Sequence, residues 1–347
     1  MGPLGLYVHL PFCRARCPYC DFAISLETGF ERYVEALQKE IRSRSGGKAA
    51  TIHFGGGTPS FLPPAMLGDI LKTLRESFES APDAEIAIEA NPSDWRSFSA
   101  YEGLGINRLS VGAQSFHEDE LKWLGRDHTP DDIRKARFPN LSLDLIYGLP
   151  GQTLEKWNRN LEEALALNPQ HLSVYALTLT GAKMLEGPPI PPDEIQAEMA
   201  LASTEHLEKA GLKQYEISNF AQPGFESRHN LGYWTFLPYL GFGMGAHSFL
   251  APRRFSNVAQ LGPYCERILA GKSAVGMEET LTEEQAALEK VFIGLRLAQG
   301  VELDSVPAEE AAHLEAEGLA ERSGGRLRLT PRGRVVCDEV TGRLVPA

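Results

Sequence analysis

Short apolar runs alternate with amphipathic stretches over the first two thirds of the chain. The apolar runs predict six strands, and amphipathic stretches of helical spacing lie between them. The strands are predicted at Leu4–Leu10, Thr51–Phe54, Glu85–Glu89, Arg108–Val111, Leu141–Ile146 and His171–Leu177. Helices are predicted over residues 30–41, 67–78, 95–104, 154–167 and 194–211.

This alternation predicts a series of parallel βα units. Six units are too few to close an eight-stranded barrel. The pattern therefore favours an α/β fold, an open and partial (βα)6 barrel of the TIM type. A doubly wound sheet is the alternative.

One predicted connection is short. Between Leu124 and Asn140, only residues 131–137 are left to form a helix, whereas parallel crossovers usually need a dozen residues or more. We therefore expect either a truncated connection or a break in the chain near Arg137–Phe138. The turn from Gly181 to Pro192 is short in the same way.

The pattern changes after Leu281. Two helices are predicted over residues 285–297 and 309–317, followed by a hairpin over 319–330 and a last helix that opens at Thr330-Pro331. This order resembles a winged helix. We divide the chain into a barrel (1–220), a linking region (221–280) and a small C-terminal winged-helix-like domain (281–347).

Composition and charge narrow the class of protein. The chain is 43% hydrophobic and 23% charged, which is ordinary for a globular protein. Its apolar runs are shorter than the ~18 residues that span a bilayer, and no signal peptide is visible. We expect a cytoplasmic protein. The net charge of −12 disfavours binding to nucleic acid, so we expect the C-terminal domain to pack or to dock a partner.

Three of the five cysteines lie within eight residues, at Cys13, Cys17 and Cys20. Prolines on both sides predict an irregular loop, in which three sulfurs can converge. Thiolates are soft ligands that suit iron–sulfur clusters or zinc. Three alternatives stand at this point: a cluster with one iron free of cysteine, a zinc loop completed by His9, and incidental free thiols.

Glycines and polar side chains follow several predicted strands. Gly55-Gly56-Gly57-Thr58 comes directly after the second strand and suits close approach of backbone to a ligand, although a tight turn would look the same. Glu89 and Gln114 end their strands, and Asp144 lies late in its own. Ligands bind at this edge of parallel βα folds.

The Cys-x3-Cys-x2-Cys spacing resembles the signature of radical S-adenosylmethionine (SAM) proteins, whose cysteines hold a [4Fe–4S] cluster with one iron chelated by SAM. The resemblance runs from about Leu4 to Ser248 and more weakly to the C-terminus. It implies that the cluster ligands are Cys13, Cys17 and Cys20. It implies SAM contacts at Tyr7, Tyr19, Gly56, Gly57, Thr58, Glu89, Gln114, Arg126, Asp144 and Ala176. Chemically, Glu89 and Asp144 suit hydroxyl or amino groups, and Arg126 suits a carboxylate.

Within that superfamily the chain resembles the branch of the oxygen-independent coproporphyrinogen III dehydrogenase and the HemW-type haem chaperones. The dehydrogenase pattern has a further cysteine where this chain has Phe22, and a longer segment ahead of the cluster. The stretch His229-Asn230-Leu231-Gly232-Tyr233-Trp234 resembles the His-Asn-x-x-Tyr-Trp motif of the HemW side. The resemblance thus implies haem binding at His229, Tyr233 and Trp234, in a segment that we expect to be exposed.

Three functions follow from these resemblances. The first is a haem chaperone that holds a [4Fe–4S] cluster and SAM and delivers haem to acceptor haemoproteins. For such a chaperone we also expect contact with a membrane through those acceptors, and dimerisation. The second is a radical enzyme that decarboxylates porphyrinogen propionates. The third, a regulator that senses through its cluster, is disfavoured by the acidic charge. A second glycine run, Gly241 to Ser248, is expected to close the site, and His247 within it is a further candidate haem ligand.

Overall fold

Six parallel strands in sequential order form the centre of the fold. The computed structural model describes residues 4–178 and 188–344. The strands are β1 (Leu4–Leu10), β2 (Lys48–Gly56), β3 (Glu79–Ala90), β4 (Arg108–Gln114), β5 (Leu141–Tyr147) and β6 (His171–Ala176). Each pairs in parallel with the next along the chain. This order confirms the partial (βα)6 barrel and excludes the doubly wound alternative, in which the strand order reverses.

Helices connect the strands on the outer face. They are α1 (Phe30–Ser43), α2 (Pro64–Ser77), α3 (Phe98–Gly103), α4 (Glu118–Trp123), α5 (Pro130–Arg134), α6 (Leu154–Ala166) and α7 (Asp193–Lys209). The α5 helix shows that the short connection is a truncated one, because residues 135–140 lead straight from it into β5. The short turn from Gly181 to Pro192 falls mostly on residues 179–187, outside the described residues.

The central sheet continues beyond the six strands, which sequence patterning did not predict. Six short strands and two helices follow α7: β7 (Lys213–Gln214), β8 (Asn219–Ala221), α8 (Arg228–Trp234), β9 (Tyr239–Phe242), β10 (His247–Leu250), β11 (Arg253–Asn257), α9 (Leu261–Leu269) and β12 (Val275–Thr280). Over the described residues, the sheet has the order β12-β11-β10-β9-β1-β2-β3-β4-β5-β6-β8-β7. The residues after α7 are thus part of the sheet on both sides of the barrel.

The C-terminal elements form a winged-helix-like unit. They are α10 (Glu283–Gly294), β13 (Val301–Glu302), α11 (Ala308–Ala316), β14 (Ala320–Ser323), β15 (Arg326–Leu329), α12 (Pro331–Val335) and α13 (Cys337–Leu344). The three strands make a separate sheet in the order β13-β15-β14. Their apolar side chains form a core of their own, which includes Leu295, Leu314 and Leu327. No described helix of the chain is both long enough and apolar enough to cross a membrane.

The α8 helix sits at the end of the barrel where the strands begin. Its first backbone N–H groups, those of Arg228 and His229, donate to the two carboxylate oxygens of Glu85 on β3, at 3.1 and 3.0 Å. Ser227 caps the helix by accepting from the Asn230 N–H. Because helix N–H groups in the first turn lack partners within the helix, the buried Glu85 carboxylate fixes α8 against the barrel.

We predict that Glu85→Ala lowers the free energy of unfolding by roughly 2–4 kcal/mol, because two buried N–H groups each lose a partner worth about 1–3 kcal/mol. Urea denaturation followed by circular dichroism measures the effect. Glu79→Ala on the same strand is the matched control, since the Glu79 side chain is exposed and its contact with Lys48 is long. Equal destabilisation by the two substitutions would contradict the role of Glu85.

Candidate functional site

The loop that follows β1 carries the three clustered cysteines, and backbone hydrogen bonds close its base. Cys13 N donates to the Ser25 carbonyl at 3.0 Å, and Ser25 N donates to the Pro11 carbonyl at 2.8 Å. Within the loop, Cys20 N donates to the Cys17 carbonyl. All three cysteine side chains line one cavity at the C-terminal end of the barrel.

The thiols have polar neighbours that suit a cluster. The Cys13 Sγ lies 3.4 Å from the Thr58 Oγ1, and Arg126 Nη1 donates to the Cys17 Sγ at 3.5 Å. Burial raises the pKa of the Cys13 and Cys20 thiols. Metal binding must therefore displace protons from these sulfurs. Three thiols without a fourth cysteine nearby are a donor set that fits a [4Fe–4S] cluster with one iron left for another ligand.

The zinc alternative with His9 is wrong. Its Nε2 lies 2.8 Å from the Ala23 carbonyl oxygen, and its Nδ1 lies 3.1 Å from the Tyr7 hydroxyl. Both ring nitrogens thus have hydrogen-bond partners, and His9 holds the far side of the cysteine loop. Among residues 4–178 and 188–344, no group of three His, Cys, Asp or Glu side chains is arranged to hold a single metal ion. A cubane does not need such a group, because each thiolate binds a different iron.

The cavity has a volume of about 550 Å³ and is lined from the ends of β2 to β6. One cavity can touch five successive strands only because the sheet curls. Nine of the ten positions implied as SAM contacts line it: Tyr19, Gly56, Gly57, Thr58, Glu89, Gln114, Arg126, Asp144 and Ala176. The tenth, Tyr7, is not among the lining residues, and its hydroxyl faces His9 instead.

The glycines at the end of β2 are required by packing against the end of β1 and the cysteine loop. A Cβ atom at Gly57 would lie 2.6 Å from the backbone of Pro11, and one at Gly56 would lie 2.7 Å from the His9 ring. The Gly57 N–H donates to the Leu10 carbonyl, and the Thr58 N–H donates to that of Phe12. The close approach expected here is therefore to the protein's own loop, which these residues fix beside the cavity.

Two carboxylates face the cavity from neighbouring positions. Glu89 Oε1 lies 3.0 Å from His53 Nε2, and Glu89 Oε2 accepts from the Gly56 N–H at 3.3 Å. Asp144 accepts from the Ser110 hydroxyl with both oxygens, each at 3.1 Å. Burial, together with the negative charge of Glu89, raises the pKa of Asp144 to about 6. His53 and Ser110 were not predicted; the alternation of side chains along β2 and β4 was the signal that could have indicated them.

Arg126 offers a free donor in the cavity wall. Its Nη2 donates to the Gly112 carbonyl at 3.1 Å, and its Nη1 to Cys17. Its Nε is buried and has no hydrogen-bond partner. A buried donor without a partner costs free energy. The SAM carboxylate would supply that partner, so the side chain fits the ligand that the resemblance implies.

The His-Asn-x-x-Tyr-Trp stretch does not lie in an exposed segment, contrary to expectation. His229 is 3% exposed and lies on α8 toward the start of β2. Its ring stacks on that of His53 at 5.0 Å between centroids, and His53 in turn contacts the cavity-lining Glu89. The His229 Nδ1 is 2.7 Å from the Thr51 hydroxyl, and its Nε2 is 2.7 Å from that of Tyr233. Burial lowers the pKa of His229. Exposure was predicted because the segment is rich in turn-forming residues. That prediction is wrong, because α8 packs against β2.

The two aromatic residues of the stretch have partners as well. The Tyr233 ring packs edge-on against His229 and Tyr239, at 4.9 and 4.6 Å between centroids. The guanidinium of Arg296 lies 5.5 Å from the centroid of the Trp234 ring. In this conformation none of the three side chains lines the cavity.

The second glycine run does not close the cavity, which corrects another expectation. Residues 241–248 form the end of β9, a turn and the start of β10, and none of them lines the cavity. The β9 strand pairs in parallel with β1, so the run extends the sheet. His247, the further candidate haem ligand, is exposed on β10.

Comparisons with known proteins match both parts of the chain. The family model of the radical SAM superfamily matches residues 7–164, and that of the HemN C-terminal domain matches residues 281–336. A solved structure of coproporphyrinogen III oxidase (HemN) from Escherichia coli superimposes with a TM-score of 0.87 over 99% of this chain and 90% of that one. At 24% identity, this likeness concerns the fold.

Curated relatives are similar over nearly the whole length. "Heme chaperone HemW" from Synechocystis sp. is 39% identical over 90% of this chain and 84% of its own. "Heme chaperone HemW" from Bacillus subtilis is 36% identical over 97% of both chains. The chain therefore belongs to the HemW family of the radical SAM superfamily.

Proposed function

We propose that the protein is a haem chaperone that carries a [4Fe–4S] cluster and SAM and passes haem to acceptor haemoproteins. The observation that carries the proposal is the near full-length similarity to relatives named heme chaperones. Such coverage includes the cysteine loop, the strand ends around the cavity and the C-terminal domain. Phe22, at the position of the dehydrogenase's extra cysteine, agrees with it.

In this proposal the cavity residues bind the cofactors. Cys13, Cys17 and Cys20 would hold the cluster, which would supply one-electron chemistry toward SAM. Arg126, whose buried Nε has no partner in the protein, would bind the SAM carboxylate. Glu89 and Asp144, fixed by His53 and Ser110, accept from amino or hydroxyl groups of the same ligand. The remaining contacts proposed are those of Tyr19, Gly56, Gly57, Thr58, Gln114 and Ala176, which line the cavity. Tyr7 belongs to the proposed set as well, and its hydroxyl lies 3.1 Å from His9 Nδ1.

We place the protein in the cytoplasm, because all five cysteines are free and an exposed cluster iron needs a reducing compartment. The proposed partners are haem and acceptor haemoproteins. We further propose that the protein contacts a membrane through those acceptors and that it forms a homodimer. Sedimentation of the cluster-loaded protein tests the dimer, and flotation with vesicles tests the membrane contact.

The second candidate function is the oxygen-independent coproporphyrinogen III dehydrogenase. It is favoured by the fold, which the E. coli HemN structure shares over 99% of this chain. It is disfavoured by Phe22 and by an identity of 24% to that structure. The two functions differ in chemistry, since only the dehydrogenase must abstract hydrogen and decarboxylate its substrate.

For the cluster, we predict about four irons per chain after anaerobic reconstitution. Serine at Cys13, Cys17 or Cys20 should abolish the cluster, because each removes a thiolate ligand. Serine at Cys265 or Cys337 is the matched control, since both are buried cysteines far from the loop along the chain. Iron analysis and visible absorption report the result. Loss of iron from the Cys265 variant would show that the ligand set is wrong.

For the SAM site, we predict that affinity for SAM falls about tenfold between pH 7 and pH 5, as Asp144 takes up a proton near its pKa of about 6. A protonated carboxyl accepts fewer hydrogen bonds. Asp144→Asn should bind SAM weakly with no such pH dependence. Equilibrium dialysis at several pH values measures both.

We expect Asp144→Asn to raise the stability of the folded protein, although it weakens the binding of SAM. The folded state raises the pKa of Asp144 above its ordinary value of 3.8, so its ionisation opposes folding and stability is lost as the pH rises from about 4 to 6. Asp144→Asn should therefore increase the urea midpoint of the cofactor-free protein at pH 7. A lower midpoint would contradict the burial that we assign to this carboxyl.

To separate the two functions, reconstituted protein is incubated with coproporphyrinogen III, SAM and a reductant, and in parallel with haem. We expect stable haem binding and no decarboxylation. The E. coli HemN enzyme is the positive control for decarboxylation. Catalytic conversion to protoporphyrinogen by this chain would replace the chaperone proposal with the second candidate.

A further inference from the structure

Several polar side chains at the rim of the cavity are not among the proposed SAM contacts. Arg14, Asn91 and Asp127 line the cavity, and hydrogen bonds through other side chains connect them. Arg14 lies in the cysteine loop itself, between Cys13 and Cys17. The role argued below is to hold that loop, so it rests on the proposed function, in which the loop binds a cluster.

Arg14 ties the cysteine loop to the segment that follows β3. Its guanidinium donates to both carboxylate oxygens of Asp94, at 2.5 and 3.3 Å, and lies 4.6 Å from the centroid of the Phe61 ring. Asp94 lies on the 3₁₀ helix Pro92–Ser97, and its side chain is only 9% exposed. A bidentate pair with a stacked guanidinium fixes the direction of the arginine as well as its charge.

Asp94 begins a series of hydrogen bonds that runs along the ends of the strands. Its Oδ2 accepts from the Ser60 hydroxyl at 2.7 Å, and the Ser60 oxygen accepts from the Asn91 N–H at 2.9 Å. The Asn91 side-chain nitrogen then donates to Asp127 Oδ1 at 3.0 Å. Ser60 and Asn91 are buried, so water competes little for these bonds.

The series ends beside another of the clustered cysteines. Asp127 follows Arg126, whose Nη1 donates to the Cys17 Sγ at 3.5 Å. Gly125 packs on the same part of the loop, since a Cβ atom there would lie 3.2 Å from Cδ of Pro18. The loop is therefore held at two points, and one connected set of residues links them. We call this set the rim belt; it consists of Arg14, Asp94, Ser60, Asn91, Asp127 and Arg126.

We propose that the rim belt positions the cysteine loop before the cluster binds, with Arg14 and Asp94 as positioning residues. Three thiolates must reach three irons of one rigid cubane, so a loop that already has the right shape loses less conformational entropy on binding. The backbone bonds at the base fix the loop only near Cys13 and Ser25. The rim belt holds the part of the loop that lies further out.

Amide hydrogen exchange of the cluster-free protein tests this positioning. Asp94→Asn and Arg14→Gln should each speed exchange at the Cys20 N–H, which bonds within the loop, by about fivefold. Exchange in α6, far from the loop along the chain, should not change. The double variant should exchange no faster than either single one, because the two side chains act through each other. Arg16→Gln is the matched control, since Arg16 donates to the Cys20 carbonyl within the loop and does not tie it to Asp94.

The reduction potential of the cluster in the reconstituted protein is a second readout. Reduction adds an electron, so loss of the positive charge in Arg14→Gln should lower the potential, and loss of the negative charge in Asp94→Asn should raise it. The double variant should lie near the wild type. Substitutions that only loosened the fold would shift both single variants in the same direction, which would contradict the pairing of the two charges beside the cluster.

The outcomes separate the role of the rim belt from the proposed function. If the wild type does not assemble about four irons per chain, the cluster in the proposed function fails. If the wild type assembles it, and exchange at Cys20 is equal in the wild type and both single variants, the positioning role is overturned while the proposed function stands. An equal effect of Arg16→Gln, or faster exchange in the double variant than in either single one, would overturn it as well.

Discussion

The close contact between the end of β2 and the loop after β1 is the constraint on which the rest of the site depends. The backbone N–H groups of Gly57 and Thr58 donate hydrogen bonds to the carbonyls of Leu10 and Phe12, where the cysteine loop begins. No side chain fits at Gly57, because the backbone of Pro11 occupies that space. This contact presents three thiols to the cavity. A larger residue at Gly57 would displace the loop, and the effect on a ligand would be indirect.

The two ends of the barrel have different roles. At the C-terminal end, the thiols, Arg126 and the two carboxylates surround one cavity. At the other end, α8 closes the barrel through Glu85 and through His229. The HemW-type stretch therefore has a structural role in the described conformation.

Much of this architecture could be predicted from the sequence, because the apolar runs of β1 to β6 are long and buried, and their spacing indicates parallel βα units. The positions of Glu89, Gln114 and Asp144 followed from the same pattern, since they lie at or near the ends of such strands. The extension from β7 to β12 could not be predicted, because its strands are short and take their partners from distant parts of the chain. The burial of His229 was missed for a related reason: it depends on Thr51 and Glu85, which periodicity within residues 223–238 cannot indicate.

Transfer of haem to a haem-free acceptor protein tests the central claim most directly. Haem-loaded protein is mixed with increasing amounts of an acceptor whose Soret band differs, and the rate of the spectral change is followed. The account predicts a rate that rises with acceptor concentration and exceeds the rate of haem loss to solvent, because a chaperone passes haem to the acceptor within a complex of the two proteins. A rate that equals haem dissociation and does not change with acceptor concentration would contradict it.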